Sequence, residues 1–524
     1  MSMARAFLAK PDLRNATLCL RQVLSRNPRH LGAMRLMASL AAAEHSPTAL
    51  VLRSRIVDIN PHSLEDRLAL VQTALAFKDY SVATNALEAI DPAGKNTAAY
   101  HNTAGAVAST FGQITVAEAH FVEAARLQPT NPAPRLNLAI VRLHGTNNAI
   151  LAEARLSLRQ IVTNPPDSTL RCAALRELLV DAVRFKQPDS ALALSKELVE
   201  DTNSAFSDRL LRLNVLGSMT NAEFNAALEA FQREASTNVV HAYELGTWQM
   251  SRLSPASALS WLQTLPLQTQ TNLPVTTLIA DCKLLTKDWP GLQQWLVGQR
   301  WAEMEFTRHA LLSQAFRQQG LDATAKGEWE LAVKSASAQK LSTIMLLQLA
   351  ARWKLQSEGE ELLWNIVDQF PEEKWASQAL IKSLYAGGRT RSVMKLCSQE
   401  LKRSPSDLDA KNNLAATALL LDPQELRPYE LAQEVYEKSP TNAAFASTYA
   451  FSLYLQKKNQ EALKVIESIA PKDLEKQSIA GYYALILKAT GNNEKANTFF
   501  DYAFKGPMLP EEKKLFDRAR TGGA

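Results

Sequence analysis

Cysteine is scarce in this chain, and the four present, Cys19, Cys172, Cys282 and Cys397, lie more than a hundred residues apart with no C-x-x-C pairing. That excludes a disulfide framework and a zinc knuckle, so four thiols are expected. Long apolar runs are missing too. No window reaches the roughly 18 consecutive apolar residues of a membrane span, and the opening MSMARAFLAKPD holds no apolar stretch of signal-peptide length. As it stands, the chain reads as soluble and cytoplasmic.

The signatures of chemistry are absent as well. There is no H-E-x-x-H, no P-loop and no G-x-G-x-x-G. The histidines form no pair at metal-ligand spacing on one helix. The carboxylates of PEEKW and LPEEKK follow prolines at helix starts, where acids suit the helix dipole. No catalytic residue, cofactor or metal is expected, and the chain reads as a non-enzyme. Charge of one sign is also in short supply, with a net +5 over 524 residues, which leaves no broad footprint for nucleic acid. The imbalance is local. Residues 1–60 hold nine Lys/Arg against Asp12, Glu44 and Asp58, a surplus of +6 that leaves −1 for the rest.

What the chain does contain is a period. A length of 524 residues exceeds what one hydrophobic core supports, and internal repeats supply the alternative. The stretch AAYHNTAGAVASTFGQITVAEAHFVEAARLQPTN (98–131) is a 34-residue unit. Two apolar-periodic helices are expected in it, one around Gly105 and one around Ala117, Phe121 and Ala124. Gly112 breaks between them and Pro129 ends the second. The arrangement returns at Gly320, Ala325, Trp329 and Ala332, again at Ala450, Ala462 and Ile466, and finally at Ala484, Gly491, Ala496, Phe500 and Ala503. Looser copies lie between, about fifteen units in all. In YAGGRTRS (385–392), Gly388 falls where each unit needs its turn, so a turn rather than a phosphate loop is read there.

This pattern resembles the tetratricopeptide repeat, whose small, Gly, Ala, aromatic, Ala and Pro positions are matched by Gly105, Gly112, Ala117, Phe121, Ala124 and Pro129. The Asn- and Thr-rich turns PTNPAP and SPTNAA are similar in style to long bacterial arrays of that repeat. The family's usual Trp at position 4 is missing, replaced by His101 in the clearest unit and His309 in another. The resemblance implies an all-α, elongated, monomeric α-solenoid, a superhelix of about fifteen helical hairpins. An N-terminal array is expected over 1–207, its first repeat incomplete. Degenerate repeats with shorter helices follow over 208–305, which carry Pro255, Pro266, Pro274 and Pro290, then a C-terminal array over 306–508 and a capping helix with tail over 509–524. DPQELRP (422–428) is read as an extra turn.

The resemblance also implies a concave groove that binds peptides or proteins, faced by positions 2, 5, 6, 9, 12 and 13 of each first helix. In the C-terminal third those positions carry Trp375, Lys382, Tyr385, Asn413, Phe451, Tyr454, Tyr482 and Lys488, the candidate partner groove. The aromatics have a competing reading as packing between helices. The family's Lys/Asn clamp for a terminal carboxylate is incomplete: Asn102, Asn137 and Arg176 lie at groove positions without the lysines. The reading that follows is an interaction scaffold for a protein or peptide partner. Its alternatives are a helical-repeat RNA-binding protein, which the −1 balance of residues 61–524 opposes, and an adaptor subunit of a membrane-associated assembly. A segment ahead of residue 1 would tether it, beside the basic first 60 residues.

Overall fold

The computed structural model describes residues 2–8, 13–43, 46–164, 168–337, 339–421 and 426–521. Among these there are 34 α-helices and no strand, so the fold is all-α. Four helices (Pro92–Lys95, Leu267–Thr271, Pro471–Leu474 and Pro510–Thr521) stand outside the repeat, and the other thirty follow one another as fifteen first-and-second pairs. None of the described helices is long and apolar enough to cross a membrane.

The hairpin Ala98–Thr110 and Ile114–Leu127 shows why the pattern folds this way. Thr97 opens the first helix by accepting a hydrogen bond from the Tyr100 amide at 3.2 Å, which satisfies one of the free N–H groups of the first turn. Gly112 turns the chain with φ +70°, a left-handed conformation that costs glycine little. Ala117, Phe121 and Ala124 then form one buried stripe along the second helix. A Cβ on Gly105 would stand 2.6 Å from the Phe121 ring, so only a residue without a side chain lets the two helices close on that ring. The second helix ends at Leu127 ahead of Pro129. Asn131 caps the next first helix, Pro132–Leu143, through the Ala133 amide.

The chain divides into two compact units, Met1–Cys282 and Lys283–Ala524, each built of successive hairpins packed on their neighbours. The division falls inside the stretch read as degenerate. Shortening there is confined to its later part. Helices Phe206–Ser218, Phe224–Ala235 and Val239–Arg252 keep full length, whereas Pro255–Leu262, Leu267–Thr271 and Trp289–Leu296 are short. Pro255 and Pro290 sit in the first turn of their helices, where the missing N–H is harmless, so they set where a helix starts and do not distort it.

Of the extra turn expected at 422–428, residues 422–425 lie outside the described residues. Arg427, with φ +46°, leads directly into Pro428–Lys438. The YAGGRTRS glycine is a hairpin turn, with Gly388 at φ +66°.

Candidate protein-binding face

In the second unit the first helices of four successive hairpins are Lys374–Ala386, Leu408–Leu421, Ala443–Leu455 and Gln477–Ala489. The last of these is buried along most of its length. Its neighbours Asn493–Ala503, Ala443–Leu455 and Asn459–Ile466 supply most of that burial, and the helix Pro510–Thr521 adds to it: it packs on Gln477–Ala489 and Asn493–Ala503 and also reaches back to Leu408–Leu421.

Its charged sequence buries a narrow stripe. Glu512 and Phe516, one helical turn apart, are the buried side chains, with Leu515 and Ala519 half-buried beside them. The Glu512 carboxylate accepts hydrogen bonds from the Tyr482 hydroxyl at 2.6 Å, from the Tyr385 hydroxyl and from the Leu509 amide at 2.9 Å. The last is the helix's own N-terminal cap closing. Glu511 accepts from the Thr390 hydroxyl. Phe516 lies over Gly481, where an added Cβ would be 2.3 Å from the ring, and meets the Tyr482 ring edge to face at 5.4 Å. Burial first, and then the Glu512 charge, push the phenols of Tyr385 and Tyr482 above their ordinary value, so both remain donors.

Beside Glu512 lies a cavity of about 280 Å³. Its wall includes Ile381, Asn412, Asn413, Thr417, Ser447 and Thr448. Asn412 and Ser447 are buried, yet Asn412 Oδ1 and Ser447 Oγ have no protein hydrogen-bond partner. Buried polar atoms nearly always have one, so these two oxygens are open acceptors in this wall.

Seven of the eight sequence candidates fall into three groups. Trp375 and Lys382 are exposed, with Trp375 Nε1 donating to Glu373 at 2.6 Å. Asn413 and Tyr454 are half-buried, Asn413 accepting a long bond of 3.5 Å from Asn412. Tyr385, Tyr482 and Lys488 touch the terminal helix, Lys488 donating to the Arg520 carbonyl at 3.5 Å. Phe451 and Tyr482 are not open anchors. Both are buried, their rings meeting at 4.5 Å in a tilted pair, and Phe516 covers Tyr482 on its other side.

Sequence reasoning missed Glu512, Phe516, Asn412 and Ser447. The glutamate and phenylalanine were visible as an E-x-x-x-F stripe, and Gly481, at a groove position, was visible as a notch.

In the first unit the incomplete clamp is taken up internally. Asn137 donates to Asn102 at 2.9 Å, and Arg176 forms a two-point ion pair with buried Asp208 at 2.6 and 2.8 Å. Arg35 makes the same pair with buried Asp66 at 2.7 and 2.6 Å. Burial alone would raise the Asp66 carboxyl, yet Arg35, Ser63 and Asn60 hold it below its usual range. One charge of the basic first 60 residues is therefore spent inside the fold; Lys10 lies outside the described residues. His101 and His120, from the two helices of one hairpin, meet Nδ1 to Nδ1 at 2.9 Å. No group of three or more metal-ligating side chains occurs among the described residues.

The chain is thus a helical-repeat protein with tetratricopeptide-like hairpins. No family model matches it, and neither does any curated protein. Many solved structures are similar to it, among them two that span most of this chain. One is the crystal structure of APC/C hetero-tetramer Cut9-Hcn1, at 12% identity over 86% of this chain and 95% of that chain, with a TM-score of 0.27. The other is the structure of Naa15/Naa10 bound to HypK-THB, at 11% identity over 94% of this chain and 78% of that chain, with a TM-score of 0.29. Likeness at this level carries no argument, and the fold stands on the hairpins themselves.

Proposed function

We propose that the protein is a non-enzymatic interaction scaffold that holds a protein segment against the first helices of its second unit. The observation that carries this reading is that the face already holds a polypeptide segment, the chain's own terminal helix, through a buried carboxylate and a buried ring. The cavity continuing from Glu512, with buried Asn412 Oδ1 and Ser447 Oγ free to accept hydrogen bonds, supports room for more. The inter-unit turns, in which Asn131 and Asn442 cap the helices that follow, support a place among long bacterial arrays of this repeat.

The test is affinity capture from the native organism with the intact chain, beside Asn412→Leu with Ser447→Trp and a control change at exposed Val51. Loss of the same captured protein in the cavity variant alone supports the reading. Identical capture by all three refutes it.

A further inference from the structure

We propose that the terminal helix Pro510–Thr521 is a displaceable internal occupant of this face, and that the partner replacing it is a helix presenting a carboxylate and, four residues later, an aromatic ring. The inference rests on the reading of the face as protein-binding and adds what the face selects and how it is held shut.

Three observations carry it. First, only two side chains of the helix are buried, and its other polar contacts are those of Glu511 with Thr390, of Lys488 with the Arg520 carbonyl and of Arg520 with Asp501. Glu512 and Phe516 are buried while Lys513, Lys514, Asp517 and Arg518 are exposed, and the two anchors sit at the spacing that aligns side chains on one helical face. Second, the carboxylate is held by two phenols and one amide. Neutral donors set the geometry of a buried charge closely but offset its lost hydration less fully than a cation would. The seat is therefore selective and releasable. Third, the internal helix leaves the adjoining wall unused. Asn412 Oδ1 and Ser447 Oγ stay without partners in the cavity that Leu509 and Glu512 help to line. A partner segment extending past its own glutamate would supply donors there, contacts that the internal helix forgoes. That difference lets an external segment compete with one tethered in the same chain, whose local concentration is high.

The probe is a fluorescent peptide of residues 508–521, titrated by anisotropy into the full-length chain and into full-length Phe516→Ala. The variant frees the seat and keeps Tyr385, Tyr482 and Gly481. Binding to Phe516→Ala at least ~10-fold tighter than to the parent chain is expected, since the internal competitor is weakened. A peptide carrying Ala in place of both Glu512 and Phe516 is expected not to bind. Equal affinity for both chains, no binding to the variant, or equal binding of the substituted peptide overturns the proposal.

Should Phe516→Ala lose helicity, hydrogen exchange on the parent chain decides. Amides of 510–521 exchanging at least ~100-fold faster than those of 477–489 show the seat opening locally, whereas equal protection shows a fixed structural helix. The two readings fail separately. Capture lost through Asn412 and Ser447 but untouched by Phe516→Ala leaves the scaffold standing and removes displacement. Peptide binding to Phe516→Ala without any specific capture leaves the internal occupant and removes the scaffold.

Discussion

At the scale of the residue, the paired rings of His101 and His120 make the first unit sensitive to acid. One imidazole must donate and the other accept across 2.9 Å, an arrangement that two protonated rings cannot keep. Burial, and then the His101 charge, lower the pKa of His120. Tyr100 meets both rings edge-on, and half-buried Glu123 lies on the same helix as His120. The sign follows from linkage. Above the unfolded-state value near 6.5 both states are neutral and nothing is lost; below it the unfolded chain takes the proton first, so stability falls until the folded pKa is passed. The melting temperature is expected to drop between about pH 7.5 and pH 5.5, and to drop less in His120→Gln. An equal drop in both would remove the pair as the cause.

The thiols give a second prediction at this scale: burial first of all pushes Cys172 and Cys282 up to about 11 and Cys397 to about 12. Half-buried Cys19 should react first with a thiol reagent in the native protein. The denatured, unreduced chain should count four thiols, and a lower count would mean a bridge.

At the scale of the element, the hairpin was legible because its rules are local. Gly105 and Phe121 differ by one repeat-specific spacing, and the structure shows the ring lying where a Cβ would have been. Removing that ring by Phe121→Ala should cost about 3–5 kcal/mol in the unit that contains it, as for other buried aromatics. The turn residue between the helices is left-handed in hairpin after hairpin, yet it is glycine at Gly112 and Gly320 and lysine at Lys78, Lys186 and Lys354. Lysine bears a steric cost there that glycine does not. Lys354→Gly is expected to stabilise by roughly 0.5–1 kcal/mol, the relief of strain less the extra entropy of an unfolded glycine. Unchanged or lower stability on denaturant melting would count against it.

The terminal helix marks the limit of such local reading. Its charged, amphipathic period reads as a capping helix, but a period shows only that a face is covered. It does not show by which neighbour. One partner of Glu512 is Tyr385, 127 residues earlier in the chain, a distance at which no spacing rule operates. For the same reason the sequence leaves Phe451 and Tyr482, placed on first helices, between an open groove and packing between helices, and the structure buries both.

At the scale of the whole molecule, helices that pack on chain neighbours make stability a sum of local terms, because each hairpin is buried by the next one. The terminal helix is a departure in the second unit, since its contacts with Leu408–Leu421 and with Tyr385 tie the last residues to hairpins well before them. The consequence is a difference in how damage spreads. In the first unit, Phe121→Ala should raise hydrogen exchange over about residues 98–143, the hairpin and the first helix stacked on it, and leave 477–521 unchanged, as nearest-neighbour stacking requires. In the second unit, Tyr482→Phe removes a donor from the buried Glu512 carboxylate and should raise exchange across 510–521 and around Tyr385 together, although these segments are remote in sequence. Exchange by mass spectrometry on both full-length variants reads the two patterns directly. If Phe121→Ala loosened the entire chain, the hairpins would be folding as one cooperative body and the local sum would be wrong. If Tyr482→Phe loosened only Gln477–Ala489, the terminal helix would be a cap on the last hairpin and nothing more.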